Sequence, residues 1–139
     1  MGEGGGGVLR GRCMCGKVTY ELRGPPRVVY YCHCGKCRRQ SGSAFATNVI
    51  VLKEDLVFTA GEEAISRWNS SSGKHRYFCS GCGSPLYSHG ENRKHIVSVR
   101  AGTLLDDLPM LPSVHAFVAH KPNWDEIRDD LPQHPEYFA

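Results

Sequence analysis

The chain has 139 residues, 40% hydrophobic and 22% charged, a composition that suits one globular core and is too short for two comfortable domains. Its 17 Lys and Arg against 14 Asp and Glu leave a net charge of only +3, which argues for neither nucleic acid nor a membrane surface as a partner. No apolar run is long enough to span a bilayer, and the opening MGEGGGGVLR lacks the apolar stretch of a signal peptide, so a cytoplasmic protein is expected.

Residues 1–9 read as a flexible Gly-rich tail, and 10–139 as a single domain. Val18, Tyr20 and Leu22 alternate with Lys17, Thr19, Glu21 and Arg23, the period-two signature of a half-buried strand, which GPP at 24–26 ends. VVYYC at 28–32 is a strand running into a cysteine cluster, and 36–41 has a short helical pattern. AFATNVIVL at 44–52 and LVFTA at 56–60 read as strands around the turn KED. Further strands are expected at 65–69 and 75–79, around the turn SSSGK, and at 95–101 and 114–118. A second helical pattern lies at 123–130. The expectation is an all-β domain of roughly eight to ten short strands, in which bound metal contributes much of the stability.

The seven cysteines are the informative residues. An odd number cannot pair fully as disulfides, and clustered reduced thiols point to metal ligation or catalysis. FCSGCG at 78–83 places Cys79 and Cys82 in a Cys-x-x-Cys turn whose glycines let amides point at sulfur, a strong zinc signal. A thioredoxin-type redox pair would need a helix after the motif, and here GSPLY follows. CMC puts Cys13 and Cys15 on one face of an extended chain, with Met14 turned away. Two plus two make a closed four-cysteine site. CHCGKC at 32–37 then leaves Cys32 and Cys34 on one face, with Cys37 returning after a turn at Gly35. Three thiolates and one free position form the pattern of a catalytic zinc. Spacing also permits Cys34/Cys37 with Cys79/Cys82, leaving Cys13, Cys15 and Cys32, and permits His33 as a fourth ligand, although a residue between two ligands should face away.

Lys36, Arg38 and Arg39 adjoin the cluster and are candidates to offset its negative charge and to pair with substrate carboxylates. Ser41, Ser43 and Asn48 are candidate pocket residues. His89, His95, His115 and His120 are scattered and read as structural, His115 in a packed or hydrogen-bonded role. Trp68 and Trp124 read as core or rim aromatics, and Asp106 and Asp107 as a turn.

Together, the early Cys-x-Cys, CHCGKCRRQSGSAFA, FCSGCGSPLY, VRAGTLLDD and HAFVAHKPNW resemble the glutathione-dependent formaldehyde-activating enzyme / centromere protein V family, from about Arg10 to Glu136. The resemblance implies the β-tent fold of short, mostly antiparallel strands organised around zinc. It implies two zinc ions per chain: a structural one on Cys13, Cys15, Cys79 and Cys82, and a catalytic one on Cys32, Cys34 and Cys37. It further implies a carbon–sulfur lyase that adds a small thiol, glutathione in the named case, to formaldehyde, as an S-(hydroxymethyl)glutathione synthase does. The alternative is a non-catalytic zinc module that binds protein or nucleic acid. MGEGGGG carries no Lys or Arg, which disfavours a nucleic-acid partner. TLLDDLPML and AHKPNW depart from the commonest family spacing.

Overall fold

The computed structural model describes residues 7–138. The Gly-rich tail expected from the sequence falls mainly on 1–6, outside the described residues, and Leu9 already belongs to the first strand. The order is β1 Leu9–Arg12, β2 Thr19–Leu22, β3 Val28–Cys32, α1 Gly35–Ser41, β4 Ala46–Leu52, β5 Leu56–Ala60, β6 Ile65–Ser71, β7 Lys74–Cys79, β8 Pro85–Gly90, β9 Ile96–Arg100 and β10 Val114–Ala116. Short 3-10 turns fill several connections, and α1 is the one α-helix among the described residues. The fold is all-β.

The strands form a three-stranded sheet, β1-β2-β5, and a seven-stranded sheet, β10-β3-β4-β9-β8-β7-β6. All pairings between them are antiparallel except β10 with β3. Strand alternation sorts the large sheet into two faces. Val29, Val49, Val51, Val97, Val99 and Leu86 meet Tyr20 and Leu22 of the small sheet and Val18 just before it in the main core, which also holds Cys13 and Cys79. The opposite face carries a second apolar cluster, with Tyr30, Cys32, Ala46, Ile50, Val114 and Ala116 gathered around Cys37 of α1. The two groups of cysteines therefore lie in different cores.

The strands read from alternation are present, with ends shifted by a residue or two. Three features differ from expectation. Residues 123–130 form no helix: Lys121 Nζ bonds the carbonyls of Pro122 and Asp125, and Asp129 is engaged by His115 and the Leu131 amide. These side-chain ties satisfy the segment as a loop. Strands β1 and β8 were not expected. Pro85, Ser88, His89 and Gly90 have little strand propensity, yet pairing with β7 and β9 and the stack of Tyr87 on Tyr77 at 4.3 Å hold β8 in the sheet. Finally, CMC is a turn rather than a strand, closed by Gly16 N–H on the Cys13 carbonyl at 3.1 Å.

The 3-10 turn after Gly61 wedges between the two turns that carry Cys13/Cys15 and Cys79/Cys82. Ser80 N–H donates to the Ala64 carbonyl, and Ala64 N–H to that of Gly61. Gly61 has φ +77°, and a Cβ there would lie 2.0 Å from the Lys17 carbonyl oxygen. Neither demand suits a side chain. Gly61→Ala is expected to cost about 1–3 kcal/mol, seen as a lower denaturation midpoint. A wild-type midpoint in this variant would show that the wedge is not needed.

Candidate metal centres and the cavity beside them

The sulfurs of Cys13, Cys15, Cys79 and Cys82 all lie within 4.8 Å of one another. Each pair comes from a tight turn closed by a glycine with positive φ, Gly16 at +81° and Gly83 at +80°. Amides point at sulfur in both turns: Val18 N–H to Cys13 Sγ and Gly81 N–H to Cys79 Sγ, each at 3.3 Å. Ser84 Oγ touches Cys82 Sγ at 3.2 Å and accepts from the Met14 amide at 2.9 Å, joining one turn to the other. The Ser84 hydroxyl, with nearby amides, pulls the Cys82 thiol down to about 5. The Lys17 amide draws Cys15 downward, but Cys13, Cys82 and Cys79 outweigh it and push that thiol up to about 11. Without a cation among them, the four sulfurs do not all ionise together. Separations of 3.6 Å for Cys13–Cys15 and 3.8 Å for Cys15–Cys79 are far beyond a disulfide bond. For an ion–sulfur bond of about 2.3 Å, tetrahedral geometry sets ligands about 3.8 Å apart. The donor set and its spacing fit a metal ion.

The second group is Cys32, Cys34 and Cys37, again within 4.8 Å of one another. Cys32 ends β3, Cys34 is the N-cap of α1, and Cys37 lies in its first turn. The Cys34 sulfur accepts from the Cys37 amide at 3.3 Å, so the helix cap itself brings two of the thiols together. Hydrogen bonds from Cys32 and Cys37 hold the Cys34 thiol far below the ordinary thiol range, and the same contacts hold Cys32 far above it. This group also fits a metal ion, with three protein donors and no fourth among the described residues. His33 does not join it. Its ring is fully buried and turned away, with Nε2 2.8 Å from Nδ1 of His115.

A cavity of about 530 Å³ opens beside Cys32, Cys34 and Cys37. Lys36 and Arg39 of α1 line it, as do Lys74, Arg76 and Arg93 from the far strands and the turn after β8. Arg38 does not: it is half-buried, outside the cavity lining, and its Nε has no hydrogen-bond partner. Asn48 is 2% exposed, lines the cavity, and keeps an unbonded Oδ1. Ser41 instead bonds the carbonyls of Arg38 and Phe45, and Ser43 lies outside the cavity wall. His89 and His120 are in the wall, together with the aromatic rings of Tyr30, Phe117 and Tyr137. Trp68 and Trp124 are exposed.

Two cations near the sulfurs were not singled out from the sequence. Arg76 reaches Cys37 Sγ from both terminal nitrogens, at 3.6 and 3.7 Å, and donates to Gln40 Oε1 at 2.9 Å. Burial opposes its charge, and the sulfurs of Cys37, Cys34 and Cys32 more than offset that. Arg100, 6% exposed, donates to the same Gln40 oxygen at 3.4 Å. For Arg100 the signal available was a charged residue closing a mostly apolar strand, IVSVR, and Arg76 in KHRYFC carried no such signal.

Behind the cluster runs a chain of polar groups that leads from an exposed carboxylate to two buried imidazoles. Asp129 accepts from His115 Nε2, with both carboxylate oxygens at 3.0 Å, which leaves His115 Nδ1 to accept from His33 Nε2. Burial, aided by His115, keeps His33 from protonating. His115 also stacks on Tyr31. The chain ties β3, β10 and the loop near 129 together and fixes the residue between Cys32 and Cys34. His115→Ala is expected to destabilise the fold by about 1–3 kcal/mol, measured by denaturant titration, because His33 and Asp129 both lose a partner. An unchanged midpoint would mean that water replaces the imidazole without cost.

The sequence profile of the glutathione-dependent formaldehyde-activating enzyme family matches residues 8–120. A protein from Halomonas elongata, provisionally named as such an enzyme, is 32% identical over 128 residues, spanning 86% of this chain and 81% of its own. Two fungal proteins with the same provisional name are longer. The Fusarium vanettenii protein is 33% identical over 62% of this chain and 46% of its own, and the Podospora anserina protein is 26% identical over 87% and 51%. A crystal structure of a Rhodobacter sphaeroides protein superposes with a TM-score of 0.58 at 20% identity, covering 72% of this chain and 91% of that one, a likeness of fold. No helix among the described residues is long and apolar enough to cross a membrane. By the extent of the profile match and the Halomonas likeness, the chain belongs to the glutathione-dependent formaldehyde-activating enzyme family.

Proposed function

We propose that the protein is a zinc-dependent carbon–sulfur lyase that joins a small thiol, glutathione in the first instance, to formaldehyde or a related electrophile. The observation that carries this reading is the group of three sulfurs, with no fourth protein donor among the described residues, beside a cavity lined by cations. Cys13, Cys15, Cys79 and Cys82 would hold a structural zinc, and Cys32, Cys34 and Cys37 a second one. When bound there, zinc supplies an open coordination position that holds a thiol as its thiolate, which a free thiol with a pKa of about 8.5 scarcely provides at neutral pH.

The chain's own residues do the rest. Lys36, Arg39 and Lys74 give the cavity wall positive charge suited to the carboxylates of a peptide thiol. The Asn48 amide, buried in the wall, can bond a polar group of the substrate. Tyr30, Phe117 and Tyr137 provide apolar surface against which the electrophile sits away from bulk water. Sulfur adds to the carbonyl carbon, the oxygen takes the proton given up by the thiol, and an S-hydroxymethyl adduct results. No electrons are exchanged with the protein, which suits redox-inert zinc.

Exchange spectroscopy of glutathione and formaldehyde, with the uncatalysed reaction subtracted, tests the reading. Cys37→Ser is expected to stay folded, keep about one zinc per chain, and lose catalysed exchange, because two thiolates hold the ion poorly. Cys79→Ser is expected to be insoluble or unfolded, since a structural zinc of this type contributes about 10–16 kcal/mol. A folded Cys37→Ser with full catalysed exchange would show that the three-cysteine centre is not the catalyst, and wild-type protein with no exchange above background would replace the lyase with a non-catalytic zinc module.

The arginines of α1 separate by position. Arg39→Ala should weaken a carboxylate-bearing thiol by about 1 kcal/mol, roughly fivefold, while leaving mercaptoethanol unaffected. Arg38→Ala should not discriminate between the two thiols, because Arg38 is outside the cavity. Michaelis constants that change equally for both thiols, or for neither, in Arg39→Ala would assign Arg39 to the surface.

A further inference from the structure

Two guanidinium groups, Arg76 from β7 and Arg100 from β9, converge on one neutral acceptor, Gln40 Oε1. Arg100 also donates to the Ser88 hydroxyl and the Ser98 carbonyl, and Arg76 makes two contacts to Cys37 Sγ. No carboxylate pairs with either among the described residues. Arg76 Nε is buried with no acceptor at all. Guanidinium stays charged, and burying a cation without an anion is costly. Among the described residues, the anion-forming group in contact with Arg76 is the Cys37 sulfur, and Arg100 lies next to Arg76 through the shared Gln40 oxygen.

Formal charges then select an occupant. A divalent ion with three thiolates carries one net negative charge. Two arginines turn this into one net positive charge, so the centre lacks one anion. A thiolate in the fourth position makes the sum zero. A neutral ligand leaves the excess charge in a poorly solvated place, where charges interact more strongly than in water.

We propose that Arg76 and Arg100, braced on Gln40, are the counter-charge of a four-thiolate centre, so that the cavity selects an anionic fourth ligand over a neutral one. This assignment rests on the metal reading of Cys32, Cys34 and Cys37. It makes the two arginines positioning residues that act on the substrate through charge. Arg39 and Lys36, exposed on α1, would serve the distal carboxylates instead.

The test uses cobalt-loaded protein, whose visible spectrum reports the fourth ligand. Thiocyanate, and mercaptoethanol bound as its thiolate with loss of a proton, are the anionic probes, and imidazole the neutral one. Arg76→Gln is expected to weaken both anionic probes by about tenfold or more, as loss of a nearby buried charge predicts, with imidazole unchanged or tighter. Arg76→Lys should recover most of the anion affinity. Metal content of each variant is measured alongside. Equal loss for imidazole and the anions, or no loss for either, overturns the counter-charge assignment while leaving the metal reading intact. Wild-type protein that takes up only one cobalt ion, with no spectral response to any probe, overturns both.

Discussion

The fold depends on bringing four sulfurs from two remote turns to one point. Cys15 and Cys79 are 64 residues apart, and between them lie β2 to β7 and α1. Closing such a loop costs entropy, and gathering thiolates without a cation adds repulsion. A bound ion would reverse the second term and offset the first. The geometry is prepared for it by local means: glycines with positive φ, amides aimed at sulfur, and Ser84 bridging the two turns. Because Cys13 and Cys79 are part of the main core, the same point holds the small sheet on the large one.

The large sheet separates this architectural work from the three-cysteine group. Register places Tyr30, Asn48 and Arg100 side by side on adjacent strands, and Ser98, Ser88 and Arg76 in the next row. Residues directly opposite one another share a face, so these form one polar and charged surface, under α1 and beside the cavity. The other face is nearly all valine where it meets the small sheet. One set of strands thus supplies an apolar interior and a charged pocket wall, by alternation alone. Polar groups buried in the wall are tolerated because a ligand can satisfy them.

Much of this was legible. Alternation and short apolar runs gave β2 to β7, β9 and β10, and cysteine spacing gave two groups, although by a different local geometry from that expected. CMC was read as extended and is a turn; Gly35 was read as a turn and starts a helix. Both readings bring sulfurs together because short Cys spacings converge in either conformation. What escaped was set by tertiary context. The loop at 123–130 has helical local preference that side-chain ties override, and β8 has weak strand preference that two neighbours supply. Arg76 and Arg100 are near the thiols only because β7 and β9 lie across the sheet from β3, which neighbours in sequence cannot reveal. Sequence adjacency favoured Arg38, the arginine next to Cys37, and that residue lies outside the cavity.

Cys34 does two jobs with one atom. Its sulfur caps α1 by accepting from the Cys37 amide, and it is one of the three clustered donors. A helix of seven residues is too short to persist by propensity alone. Here the event that nucleates it also sets two sulfurs at ligand spacing, so ordering of the helix and ordering of the site are one transition. The centre is therefore preorganised: much of the entropy lost in assembling its donors is spent when the chain folds, before any ion arrives. Selection at this position acts on secondary structure and on coordination through the same sulfur, and serine, an ordinary cap, would preserve only the first.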